Sequence, residues 1–126
     1  MKRVLLFGSI CLFMMAFSVA LSISDIVNAL KTGNAAEISR YFDNTVEITL
    51  PEKTNSYSKS QGEVILRDFF NNNTVKGFNI IHQGENAGSQ YCIGTLVTST
   101  ASFRTTIYMK QKGNKQTLQE IRFENK

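Results

Sequence analysis

The chain has 126 residues with 42% hydrophobic and 19% charged side chains, a length that suggests one domain. Its formal charge of +4 falls to +2 once Lys2 and Arg3 are set aside, and the other basic residues are scattered. That excludes the basic stripe with interleaved aromatics of a nucleic-acid-binding surface.

Met1-Lys2-Arg3 opens the chain, and Val4 to Phe17 carries no charge. This is the positive n-region and apolar h-region of an export signal. Ser18-Val19-Ala20 places small residues where a signal peptidase reads, so cleavage is expected after Ala20. Residues 1–20 are then a signal peptide and residues 21–126 one domain, periplasmic or extracellular, with no membrane contact after cleavage. The alternative is an uncleaved anchor, since Val4 to Leu21 is near the length that crosses a bilayer. Cys11 follows Ile10 and reads as an h-region residue, not a lipid-bearing cysteine. Cys92 is the one cysteine left, so no internal disulfide forms, and it reads as a small buried strand residue.

Ser24 is expected to cap a first helix carrying Ile26, Val27 and Leu30, which Gly33 ends in the left-handed conformation. Asn34 caps a second, Ala35 to Phe42, with Ile38, Tyr41 and Phe42 on its buried stripe. Thr45 to Leu50 alternates, with Val46, Ile48 and Leu50 on one face and Glu47 and Thr49 on the other, until Pro51 ends the strand. Glu52 to Lys59 is a loop or a short edge strand. Ser60-Gln61-Gly62-Glu63 reads as a capping box opening a third helix with Val64, Ile65, Leu66, Phe69 and Phe70. Strands follow at Phe78–Gln83, Gln90–Ser99, Phe103–Lys110 and Thr117–Phe123, with turns at Gly84 to Gly88 and Gly113-Asn114. Lys110, Lys112 and Lys115 gather at the last hairpin and read as a solvated turn. The order gives an α+β fold, three N-terminal helices packed on a curved antiparallel sheet.

The stretch "NAAEISRYFDNTVEITL" resembles a recurring phrase of the nuclear-transport-factor-2-like superfamily, also called SnoaL-like or cystatin-like. A closer resemblance, on "DIVNALKTGNAAEISRYFDNTVEITLP", "YCIGTLVT" and "IYMKQKGNKQTLQEIRFE", is to the secreted bacterial family called domain of unknown function 4783. The resemblance implies a conical fold with a pocket between sheet and helices, and no known reaction. It also implies a homodimer formed through the sheet, as is common in the superfamily. In the ketosteroid-isomerase-like members the phrase ends Thr-Val-Glu-Asp, and that Asp is the general base. Here Thr45-Val46-Glu47 is followed by Ile48, which cannot carry a proton.

No catalytic residue is therefore assigned. The pocket candidates are Tyr41, Ile48, Phe69, His82, Tyr91 and Tyr108. His82 is the one histidine, able to shuttle protons near neutral pH but also an ordinary hydrogen-bonded strand residue. Asp43 is explained by turn chemistry, and Asp68 sits beside Arg67 on a solvated helix face. One His and one scattered Cys make no closed zinc site, and no phosphate loop or nucleophile elbow occurs, so no metal or cofactor is expected. The leading reading is a non-catalytic exported module that binds a small apolar ligand or a protein. The alternative is a lyase or isomerase acting on an apolar substrate, with His82 or an acid such as Asp68 entering the cavity.

Overall fold

The computed structural model describes residues 23–126. The expected signal segment, its cleavage after Ala20, the alternative anchor and Cys11 lie outside the described residues. Among the described residues no helix is long and apolar enough to cross a membrane.

Helix α1 covers residues 23–32 and buries Ile26, Val27, Ala29 and Leu30. Ile23 is already helical, so Ser24 lies inside the helix instead of capping it. The far end is as expected. Gly33 sits at φ 66°, its N–H donates to the Leu30 carbonyl, and the Asn34 N–H donates to Ala29. These are the two bonds of a Schellman motif, which needs a residue free of a Cβ at the left-handed position.

Asn34 caps α2, Ala35–Ser39, by accepting from the Glu37 N–H at 3.1 Å. The helix stops three residues before the expected end at Phe42. The Tyr41 carbonyl accepts from the Leu118 N–H of the last strand, and that bond draws the chain into the sheet. Strand β1, Phe42–Leu50, therefore starts before Thr45. Val46 and Ile48 are fully buried and Glu47 is exposed, as its alternation predicts, but Thr49, expected outward, is buried too, its hydroxyl accepting from Thr54 of the neighbouring strand at 3.1 Å. The polar run after Pro51 forms an edge strand, β2, Lys53–Ser58.

Helix α3, Lys59–Asn72, is capped by Ser58 and not Ser60. Ser58 accepts from the Gln61 N–H, and the Gln61 side chain reaches back to the Ser58 N–H. Both registers satisfy the same box pattern. Glu63 is engaged elsewhere, accepting from the Ser39 hydroxyl at 2.8 Å and pairing with Arg67. The buried stripe is Gly62, Leu66, Phe69 and Phe70, while Val64 is 48% exposed and leaves the expected core.

The remaining strands are β3, Val75–Asn86; β4, Ser89–Thr98; β5, Ser102–Lys112; and β6, Lys115–Asn125. The expected turn from Gly84 narrows to Ala87-Gly88, where both residues have positive φ, the geometry of a two-residue hairpin. The six strands lie in the order β2-β1-β6-β5-β4-β3. The sheet is mixed and not wholly antiparallel, because β1 runs parallel to β6. A parallel pair requires a long crossover, and here α3 and four strands, β2 to β5, supply it.

In β4 every second residue is buried, among them Cys92 and Leu96. Strand β6 changes parity: Gln116 and Leu118 are buried, then Ile121 and Phe123. Opposite them, Tyr108 pairs with Glu120 but Met109 pairs with Leu118, so Gln119 is the extra residue of a β-bulge. A bulge of one residue keeps both halves of β6 facing the helices and bends the strand.

Candidate functional site

Ile48 and Phe69 are packed into the core between α3 and the sheet, and Phe69 also lines a groove of about 440 Å³ with Ile65, Asp68 and Phe103. Ile48 is 1% exposed, packed under α3 beside Val46. Phe69 stacks on Phe123 with ring centroids 4.5 Å apart and meets Phe70 and Phe103 edge-on.

The other candidates lie elsewhere. His82 and Tyr91 do meet, His82 Nε2 lying 2.8 Å from the Tyr91 hydroxyl, and the Tyr91 ring lies across Gly84, where a Cβ would have no room. Tyr108 is cross-strand from Tyr91, 38% exposed, and bonded to the Ser89 hydroxyl at 3.0 Å. The three are on the sheet face opposite the buried Cys92 and Ile107. Tyr41 is apart from them, at the α2–β1 turn, donating to Asp25 of α1 at 2.7 Å. Burial first, and then that bond to Asp25, push the Tyr41 phenol up to about 12. Asp68 is exposed on α3. The six candidates therefore share no cavity.

A different place gathers charge. The start of β1, the start of α3 and the β5–β6 hairpin enclose a cleft of about 540 Å³. Arg40, Lys59, Lys112 and Lys115 line it, with Asp43 as its one carboxylate. An adjoining groove of about 660 Å³ shares Arg40, Asn44 and Lys59 and runs past Ser58 and Ser60 at the head of α3.

Asp43 is fully engaged. It pairs with Lys112, accepts from the Gln119 amide at 3.0 Å, and accepts from the Asn44 backbone N–H at 2.8 Å. The Lys112 ammonium first, then the Gln119 amide and the Asn44 N–H, hold its carboxyl down at about 2. A carboxylate held so firmly ionised is no general base near neutral pH. Arg40 pairs with Glu37. Lys59 and Lys115 have no carboxylate within 4.0 Å among the described residues. Beside them Gln116 is 8% exposed, and its side-chain oxygen has no hydrogen-bond partner among the described residues. The arrangement suits binding of negative charge and holds no group poised for proton transfer or nucleophilic attack. No three His, Cys, Asp or Glu side chains among the described residues gather as for a metal.

Of the six sequence candidates only Tyr41 lines this cleft, and sequence reasoning missed its cations. Lys112 and Lys115 were visible as a cluster, but nothing local ties them to Arg40 and Lys59. Asp43 does bond the Asn44 backbone, but from inside β1 and not from the expected turn, and it makes two long-range contacts besides.

The model of a family described as Domain of unknown function (DUF4783) matches residues 23–124. The structure is similar to a protein of that family from Bacteroides fragilis YCH46, 32% identical, with a TM-score of 0.77 over 81% of this chain and 96% of that one. It is similar to another from Bacteroides uniformis ATCC 8492, 29% identical, with a TM-score of 0.79 over 82% and 95%. A putative dehydratase of the NTF2-like family from Streptomyces avermitilis, 11% identical, has a TM-score of 0.60 over 86% and 93%, and shares the fold alone. No curated protein matches the chain. The match runs from α1 to the end of β6, through the bulge and the cleft, and the chain belongs to the DUF4783 family, with an NTF2-like fold.

Proposed function

We propose that this chain is a non-catalytic binding module that works outside the cytoplasm after loss of residues 1–20. The observation that carries the reading is Ile48. It occupies the position where the isomerase-like proteins the sequence resembles keep a general base, and it is enclosed by packing. Two further observations support it. His82 and Asp68, the best residues of the enzyme reading, are both exposed and on different elements. Asp43, the carboxylate in the basic cleft, is committed to Lys112 and Gln119.

The n-region, h-region and Ala20 motif support export. A sheet-mediated dimer belongs to the same proposal, and the exposure of Tyr108 on the uncovered sheet face favours it. The ligand is better sought among polar molecules than apolar ones, because four cations line the cleft.

Native mass spectrometry of protein purified from producing cells tests the proposal. A chain beginning at Leu21 that carries a small molecule and leaves it chemically unchanged is expected. Consumption of any metabolite from an extract of the same cells, abolished by His82→Ala or Asp68→Asn, would overturn it.

A further inference from the structure

We infer that β3 joins two copies of this chain edge to edge, pairing antiparallel with β3 of a second copy about a two-fold axis between Ile80 and Ile81. The inference goes beyond the binding-module reading and does not depend on it. The contact runs along an edge of the sheet and not across the face that carries Tyr108.

The sheet has two edges, and they differ. At one lies β2, Lys53–Ser58, a polar strand of 6 residues that opens just after Pro51. Short length, a nearby proline and a lysine are common means of keeping an edge strand from pairing. At the other lies β3, Val75–Asn86, with 12 residues. From Gly77 to Gly84 it carries neither a formal charge nor a proline. Ile80 is 45% exposed and Ile81 62% exposed. Strand β4 is its one strand neighbour, so the backbone groups on its other side have no strand to bond. A long, uncharged edge with exposed branched aliphatics is a template for another strand.

The order of residues in β3 says which strand. Lys76 precedes the uncharged run and Glu85 follows it. Both are exposed, and neither joins an ion pair among the described residues. Along one extended strand they stand roughly 30 Å apart and cannot meet. In an antiparallel pair centred between Ile80 and Ile81, each Lys76 lies opposite Glu85 of the second copy. The same register sets Gly77 opposite Gly84, Asn79 opposite His82, and Ile80 opposite Ile81. Charge meets opposite charge, small meets small and aliphatic meets aliphatic, the pairs that stabilise neighbouring strands. The unlike pair is Phe78 with Gln83, and Phe78 is buried in its own core.

A regular strand could not use this register, because residues an odd number of positions apart point to opposite faces. But β3 is irregular. Its pairing with β4 shifts between Ile80 and His82, and Ile81 is the extra residue. Asn79 then pairs with Thr95 and His82 with Ile93, which lie on one face of β4. Phe78 and Gln83 likewise pair with Leu96 and Cys92 on the other face. The bulge thus brings each facing pair to a common side and places the two isoleucines at the axis. A bulge often turns an edge away from partners, but one at a two-fold axis meets its own copy.

Analytical ultracentrifugation of protein purified from producing cells tests the inference, with circular dichroism melts to report that each variant folds. The parent should dimerise reversibly with concentration, since one edge makes a narrow interface. Ile81→Lys changes an exposed residue, and should weaken dimerisation roughly tenfold or more by setting like charges at the axis. Lys76→Glu and Glu85→Lys should each weaken it roughly tenfold, and the double variant should restore it. An equimolar mixture of the two single variants should dimerise better than either alone, because each supplies the charge the other lacks. Tyr108→Arg should dimerise like the parent. A parent that stays monomeric at every concentration overturns the inference and leaves the binding-module reading standing. Loss of the dimer in Tyr108→Arg but not in Ile81→Lys also overturns it, and assigns the dimer to the sheet face. A double charge reversal that fails to restore dimers lost by the folded single variants overturns the register, and with it the inference.

Discussion

The Gln119 amide donates to the Asp43 carboxylate at 3.0 Å, and Gln119 is the residue that bulges from β6. The bulge that keeps both halves of β6 facing the core therefore also supplies a donor to the start of β1. Lys112 pairs with the same carboxylate oxygen from the other side of the hairpin. The contact ties the start of β1 to the β5–β6 hairpin and shapes the floor of the basic cleft.

Asp43→Asn should loosen that tie. The carboxyl is held at about 2 in the folded chain, below its ordinary value, so its contribution is fully present above the unfolded value and is lost as pH falls toward 2. The variant should be less stable at neutral pH by about 1 kcal/mol, a modest figure because Lys112 is half exposed. Between about pH 4 and pH 2 the gap should close. Urea midpoints at pH 7 and pH 3 read both effects. An equal gap at the two values would mean that the ion pair does not form in solution.

Much of this fold was legible because its signals are local. The Gly33-Asn34 helix end, the alternation of Val46 and Ile48 and the period of two in β4 need only neighbouring residues. The parallel pairing of β1 with β6 does not follow from any local pattern, nor does the Gln119 bulge. Both are decided by which strands meet. The cleft failed to appear for the same reason: Arg40, Lys59 and Lys115 come from three separate elements. The cap of α3 was misplaced because Ser58 to Gln61 and Ser60 to Glu63 fit one pattern equally, and the contact of Glu63 with Ser39 decides between them.

Tyr41→Phe should remove one titration without disturbing the fold. The Tyr41 hydroxyl is half-buried, bonded to Asp25, and raised to about 12. Its neutral form is the one the folded state favours, so its stabilisation is present below the unfolded value near 10 and is lost as pH rises toward 12. The ultraviolet phenolate signal of the parent should contain a late component near 12 that Tyr41→Phe lacks. The variant should lose about 1 kcal/mol at neutral pH, the usual net worth of one hydrogen bond. A late component that survives the substitution would assign it to another tyrosine.

Gly62→Ala sets two effects against each other. Alanine is the better helix former by roughly 1 kcal/mol. A Cβ at this position would lie 2.9 Å from both the Phe42 ring and Val46 Cγ1, and 3.4 Å from Ile48 Cδ1. Overpacking of that kind costs about 1–3 kcal/mol, so packing should win and the melting temperature should fall. Adding Val46→Ala opens the space, and the double variant should be more stable than the sum of the two single losses. A stabilised Gly62→Ala protein would show that α3 stands farther from β1 than described.

Ile48→Asp tests the position on which the functional reading turns. It places a carboxylate where the resembled isomerases keep a base, but among Val46, Phe42 and the underside of α3. Loss of the aliphatic side chain alone costs roughly 2–5 kcal/mol, and burial of an unpaired acid adds to it. The buried carboxyl would have its pKa raised above the unfolded value of about 3.9. For a raised acid, stability is greatest below the unfolded value and falls as pH climbs through it toward the folded one. The variant should therefore lie closer to its parent near pH 4 than at pH 7, and should gain no isomerase activity, since residue 48 is enclosed by Phe42, Val46 and the underside of α3. Urea denaturation of parent and variant at the two pH values measures this. A variant as stable as its parent at pH 7 would mean that water reaches residue 48, and the filled core on which the non-catalytic reading rests would have to be abandoned.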